Sequence, residues 1–260
     1  MTPPPLRLGA VKYLNALPLI AGLSGDVLLD HPSALCTRLA CGDLDAALVS
    51  SYEFLRNPIY RVVDDVGIVS KGPVYSVVLA HRGELSEIEE VALDPASETS
   101  INLLRSLLAE IDLTPKLDIA ADGFEASSVT RKQGRLLIGD QAIRFRAAHH
   151  CDCNFWDLGE QWERLVGLPF VYALWLVRPE VKKPRAVADV LRATRDRNLS
   201  RLEEIAETQT RVTPEFCLRY FRDHLRYQFG EAEKLGLATF QSRCEREGIL
   251  TPATCELRLV

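Results

Sequence analysis

Two apolar runs, Val74–His81 and Phe170–Val177, stand far apart in the chain and constrain its fold most. Each is rich in valine and aromatic residues, the composition of a buried strand. A chain that leaves one lobe, builds a second and returns must cross between them twice. Two such strands bracketing a middle unit match that plan. The expected division puts residues 1–78 and 175–260 in lobe 1, including the C-terminal helices, and residues 79–174 in lobe 2. The alternative is one continuous sheet with both strands at its centre.

Short strands and helices alternate around these runs. Leu6–Val11, Val27–Leu29, Asp45–Val49, Tyr60–Val63 and Val66–Val69 read as strands of the first unit. Glu90–Leu93, Leu117–Ala120, Leu136–Ile138 and Phe155–Leu158 read as strands of the second. Ser33 can cap a helix to Cys41 that Gly42 stops. Apolar residues at 101, 104, 107, 108 and 111 predict a helix over Ile101–Ile111. Residues 184–247 hold no clear strand and read as three or four amphipathic helices, with Leu218, Phe221, Leu225 and Phe229 on one face. The fold class is therefore α/β.

The 260 residues are 47% hydrophobic and 26% charged, enough apolar material for a globular core. The formal net charge of -5 argues against a nucleic-acid partner, which needs a basic face. No run approaches the roughly 18 apolar residues that span a membrane. Residues 1–5 carry neither a basic nor an apolar leader segment, so the expected location is cytoplasmic. The seven cysteines, an odd number, read as reduced core residues. His149-His150-Cys151-Asp152-Cys153 has metal-ligand chemistry, but adjacent ligands rarely converge on one tetrahedral ion, so an exposed loop is expected. No Gly-rich phosphate loop occurs. Neither metal nor cofactor is expected.

Polar groups gather at predicted strand ends, where α/β sheets bind ligands. They are Tyr13 and Asn15; Ser50 and Ser51; Ser70 and Gly72; Ser97, Thr99 and Ser100; and Gly139 and Asp140. Hydroxyls, amides and helix N-termini suit a carboxylate or phosphate. Each also has a local role open to it: Ser97 and Thr99 as helix caps, Asp140 as cap of the helix Gln141–Ala147, Asn15 as a turn former. His31, after the second strand, either faces the same crevice or is structural. Trp156, Trp162 and Trp175 read as core.

The segment Val11-Lys12-Tyr13-Leu14-Asn15, followed by Pro18-Leu19, resembles the opening of the chorismate dehydratase family. Further matches follow in order. They include Asp45 with Ala47–Ser51, Ser70–Val77, Asp94–Ser100, Leu137–Ala142, Asp157–Trp162, Gly167–Trp175, and Gly236-Leu237 with Phe240. The resemblance implies a two-lobed type II periplasmic-binding-protein-like fold with a ligand cleft between the lobes. It also implies loss of water from chorismate to give 3-[(1-carboxyvinyl)oxy]benzoate, on the futalosine route to menaquinone, without a cofactor. It suggests that the substrate's enolpyruvyl carboxylate takes the proton while Asn15 orients that carboxylate or the leaving hydroxyl. Thr99 and Ser100 would grip one carboxylate, and Ser51 and Ser70 the other. Asp140 would contact the ring hydroxyl or cap its helix. Two other functions fit the same fold: a cytoplasmic small-acid binding protein without catalysis, and the sibling 1,4-dihydroxy-6-naphthoate synthase. Oligomeric state is not legible.

Overall fold

The computed structural model describes residues 6–23, 25–119, 129–252 and 256–260. The chain opens with β1 (Leu8–Val11), a 3-10 turn at Leu14–Ala16 and the short α1 (Leu17–Ile20). Then come β2 (Val27–Asp30), α2 (Pro32–Cys41), β3 (Ala46–Ser50), α3 (Ser51–Arg56) and the long β4 (Arg61–Ser70). The middle of the chain builds β5 (Val77–His81), β6 (Glu90–Leu93), α4 (Glu98–Glu110), β7 (Lys116–Ile119), β8 (Gln133–Ile138), α5 (Gly139–His149), β9 (Asn154–Asp157) and α6 (Leu158–Val166). After β10 (Phe170–Val177) the chain is helical: α7 (Pro184–Leu199), α8 (Leu202–Glu207), α9 (Pro214–Arg219) and α10 (Glu231–Arg246).

The strands form two separate five-stranded sheets, ordered β2-β1-β3-β10-β4 and β7-β6-β8-β5-β9. Both follow one plan. Three strands run side by side in parallel pairs, and an antiparallel strand is inserted before the last. The inserted strand is in each case one of the two long apolar runs: β10 in the first sheet and β5 in the second. Both are buried along their whole length, which is why they read as continuous apolar segments. A single continuous sheet is thereby excluded. The expected boundaries at 78/79 and 174/175 fall inside β5 and β10. Val77 already pairs with Ile138 of the second sheet, and Phe170 already pairs with Ser70 of the first. The crossings lie instead in residues 71–76 and 158–169, the latter including α6.

Three local readings differ from the sequence expectation. The expected strands 60–63 and 66–69 are one strand, β4, because Asp65 takes a positive φ of 62° inside a register shift against β10. Its backbone carbonyl and carboxylate are both held by the buried Arg195. The expected start of a strand at Val74 is a bend instead, with Tyr75 at φ 67°. Finally, Leu218, Phe221, Leu225 and Phe229 do not share one helix. A π-turn at Tyr220–His224 ends the α9 segment, and Leu225 is extended. Phe221, Leu225 and Phe229 are nonetheless buried. Burial in an irregular segment mimicked a helical stripe.

Candidate active site

β1 delivers the site. Its four residues are buried, and the chain then turns over through Tyr13 into the 3-10 turn that carries Asn15. Pro18, early in α1, suits the start of that helix because its missing N–H has no partner to lose there. Asn15 lines a cleft of about 50 Å³ with Tyr13, Ser50, Ser76, Ser97, Ser100, Gly139 and Tyr172 among its polar and backbone groups. Val11, Pro32, Ile68, Val74 and Val77 supply apolar wall. Both sheets contribute, so the cleft lies between the lobes. The Oδ1 atom of Asn15 is buried and has no hydrogen-bond partner among the described residues. Leaving such an acceptor unpaired costs about 1–3 kcal/mol.

Tyr13 is fixed from two sides. Its hydroxyl lies 3.4 Å from Nδ1 of His31. Its ring lies against Gly139, where a Cβ would meet ring atoms at 2.8 Å. Gly139 also has φ 55°, so glycine is required there for both space and backbone. Burial, with help from Asp94 and Asp140, raises the Tyr13 phenol well above its usual range. Tyr13 is therefore a protonated donor at neutral pH. Burial likewise raises the Asp94 carboxyl.

Ser97 caps the thirteen-residue α4, accepting from the backbone N–H of Ser100 at 3.3 Å. The two hydroxyls are 3.0 Å apart. Their position at the positive end of a helix dipole suits a carboxylate. Tyr13, Asn15, Ser50, Ser97 and Ser100 are thus brought to one cleft.

Ser51, Ser70, Thr99 and Asp140 do not line it. Ser51 donates to the carbonyl of Val171 at 2.6 Å. Ser70 lies 3.2 Å from the hydroxyl of Tyr172, a residue of the cleft wall. Thr99 is buried between the lobes, where it meets the Ser50 hydroxyl and accepts from the Tyr52 backbone N–H at 3.1 Å. Asp140 accepts from the Leu14 backbone N–H at 2.7 Å and pairs with Arg211 at 3.1 Å. It clamps the Asn15-bearing turn to the second lobe.

Two polar cleft residues, Ser76 and Tyr172, are not singled out by the sequence. Ser76 sits inside the matched segment Ser70–Val77, but the run reads as strand and hides it. It is fully buried, and its Oγ accepts from the Tyr220 hydroxyl at 2.6 Å, leaving its own proton free for the cleft. Tyr172 lies in β10, where every residue is buried and no alternation marks the one facing a ligand.

The His149–Cys153 segment is used locally. Asp152 pairs with Arg82 at 2.6 Å, and the His150 ring contacts the Ala147 carbonyl at 3.1 Å. Among the described residues, no three His, Cys, Asp or Glu side chains gather as metal ligands.

The lobes are drawn together. Arg56 of α3 pairs with Glu98 of α4 at 2.8 Å, and Arg243 of α10 pairs with Glu110 at 2.9 Å. The cleft volume is well below the 300 Å³ or more typical of ligand pockets. A ligand of ordinary size must part the lobes to enter.

The position of Asp140 predicts two different outcomes. Asp140→Asn retains an acceptor for Leu14 N–H and loses only the pairing with the exposed Arg211, so stability and turnover change little. Asp140→Ala strands the buried N–H and should cost about 1–3 kcal/mol. Urea denaturation and initial rates of both variants check this. A direct contact between Asp140 and substrate would instead make the asparagine variant as inactive as the alanine one.

Residues 6–246 match the family model described as menaquinone biosynthesis. The chain is 35% identical over 257 residues to a chorismate dehydratase of Thermus thermophilus, covering 91% of this chain and 94% of that protein. Among solved structures it is similar to a structural-genomics protein of Archaeoglobus fulgidus, with TM-score 0.68, 16% identity, and coverage of 94% and 98%. It is also similar to the periplasmic aliphatic sulphonate binding protein SsuA of Escherichia coli, with TM-score 0.66, 15% identity, and coverage of 100% and 92%. The structural likenesses place the fold among periplasmic-binding-protein folds.

Proposed function

The chain belongs to the menaquinone-biosynthesis family, and on that premise we propose that it is a chorismate dehydratase, a carbon–oxygen lyase acting in the cytoplasm on the futalosine route. Its product would be 3-[(1-carboxyvinyl)oxy]benzoate. The observation that carries this reading is the buried Oδ1 of Asn15, without a hydrogen-bond partner among the described residues, in a cleft ringed by hydroxyl groups.

Chorismate has a ring carboxylate, an enolpyruvyl carboxylate, a hydroxyl at C4 and a hydrogen at C3 that is acidic through conjugation to the ring carboxylate. Removing the C3 proton spreads charge into that carboxylate. Expelling the C4 hydroxyl then makes the ring aromatic. The cleft supplies donors suited to the developing charge: Tyr13, Ser76, Ser97, Ser100 and Tyr172. Among the described residues, no lysine, histidine or carboxylate lines the cleft. The enolpyruvyl carboxylate takes the proton itself. Asn15 donates from Nδ2 to that carboxylate and accepts from the C4 hydroxyl through Oδ1. The C4 hydroxyl leaves as water with the transferred proton. Holding base and C3–H together in one molecule supplies a large part of the rate, since effective molarities of about 10⁵ M or more are known. Ser97 and Ser100 hold the ring carboxylate at the N-terminus of α4. Closure of the lobes excludes water and completes the site.

Incubation of the protein with chorismate, followed by mass spectrometry, tests the proposal. Loss of one water is expected. Recovery of unchanged chorismate bound to the protein would mean a binding protein. A parallel incubation with cyclic de-hypoxanthine futalosine that alone gave product would mean the sibling synthase.

A further inference from the structure

Behind Ser76 stands a buried carboxylate that the proposed reaction does not use. Asp157, the last residue of β9, is 2% exposed. Its Oδ1 accepts from the backbone N–H groups of Gly159 at 3.0 Å and Glu160 at 3.2 Å, capping α6. The same carboxylate reaches across to the other crossing between the lobes. Oδ1 accepts from Val74 N–H at 3.0 Å, and Oδ2 accepts from Tyr75 N–H at 2.7 Å.

Those two amides belong to the residues just before Ser76. Ser76 N–H donates to the Val74 carbonyl at 2.8 Å, and Tyr75 between them has φ 67°. A three-residue turn with a positive central φ is a γ-turn of the rare, strained kind. A bulky aromatic residue is an outlier there, and such conformations persist only where their surroundings over-determine them. Arg146 completes the restraint. Its guanidinium lies 4.2 Å from the Tyr75 ring centroid, 3.4 Å from the Tyr75 carbonyl and 3.6 Å from Asp157 Oδ2.

We infer that Asp157 is a positioning residue for catalysis: it holds the strained turn at Tyr75 and thereby sets the Ser76 hydroxyl in the cleft. The inference rests on the dehydratase reading and on a role for Ser76 in it. The same carboxylate ties the two crossings between lobes at the point where the cleft is built. Charge-assisted bonds from backbone N–H are the stronger kind, which suits them to holding backbone in an unfavourable conformation.

The arrangement allows a selective test. Asp157→Asn keeps an oxygen for Val74, Gly159 and Glu160, and asparagine is as good a helix cap as aspartate. The atom facing Tyr75 N–H and Arg146 changes from acceptor to donor, and the negative charge is lost. The variant should fold with α6 intact, while its kcat falls by about 10²-fold, the size of loss that a small misplacement produces, with KM changed only a few-fold. Amide hydrogen exchange at Tyr75 and Ser76 should quicken. Joined to Ser76→Ala, the asparagine change should add nothing further to the loss of kcat. Arg146→Met supplies a second variant at a partly exposed position, with a smaller fall in kcat expected.

Wild-type kcat in both Asp157→Asn and Arg146→Met, or losses that multiply with Ser76→Ala, would overturn the inference. So would unchanged exchange at Tyr75. A wild-type protein that leaves chorismate intact overturns the dehydratase reading first, and the two failures are read from different samples.

Discussion

Asn15→Ala should lower kcat for chorismate by at least about 10²–10³-fold, the loss seen when one preorganised polar group is removed from a reacting centre. The fold should not suffer. Oδ1 of Asn15 is buried without a partner among the described residues, so the folded protein already bears the cost of desolvating it. Removing the amide removes that cost, about 1–3 kcal/mol in typical cases. The expected midpoint of thermal unfolding is therefore equal to or above that of the wild type. A variant that is less active and no less stable is the signature of a residue kept for chemistry. Asn15→Asp is a useful companion. It keeps an acceptor at Oδ1 but adds a negative charge beside a dianionic substrate, so KM should rise as well.

Gly159→Ala should damage both the fold and the site. A Cβ at Gly159 would meet the Gly72 carbonyl at 2.7 Å, the Ser70 hydroxyl at 2.7 Å and the Tyr172 hydroxyl at 2.9 Å. The first is backbone and cannot rotate away. Over-packing of this kind costs about 1–3 kcal/mol or more. Here the strain falls where α6 meets both crossings between the lobes. Relief would come by moving α6 outward, which drags Asp157 and the Tyr75 turn with it. Stability and kcat should fall together. By contrast Gly167→Ala, at a position with open space around it but φ 73°, should cost stability with little effect on kcat. Thermal unfolding and initial rates of the pair separate site geometry from general loss of folding energy.

The two-sheet fold is legible because its inserted strands lie in runs rich in valine and aromatic residues. β10 was read with both ends correct, since burial on both faces leaves no polar residue to blur it. β4 was split because Asp64-Asp65 interrupts its apolar run. Only the tertiary partner Arg195 explains how an aspartate at positive φ sits within a strand. The lobe boundaries slipped by several residues for a related reason. Pattern marks a strand but not the sheet it joins, and β5 and β10 each belong to the sheet beyond the crossing.

The site was legible as a set of strand ends, and Tyr13, Asn15, Ser50, Ser97 and Ser100 do meet in one cleft. Sequence could not tell which hydroxyls would be spent on protein partners. Thr99 looked like a ligand grip, yet it is held between Ser50 and the Tyr52 amide. Asp140 looked like a cap for its own helix or a substrate contact, yet it serves the turn at Leu14 far away in the chain. Both roles depend on the lobes being closed against each other. Ser76 and Tyr172 were hidden by the opposite effect: they lie in apolar runs, where a polar side chain facing a cleft looks like core.

The central claim is that Asn15 and a base carried by the substrate dehydrate chorismate in this cleft. Proton NMR of chorismate incubated with the wild type and with Asn15→Ala in parallel tests it most directly. With the wild type, aromatic ring signals should replace those of the diene while the enolpyruvyl methylene is retained, and the variant should give almost no conversion. Equal conversion by both proteins, or an unchanged chorismate spectrum with the wild type, would contradict it.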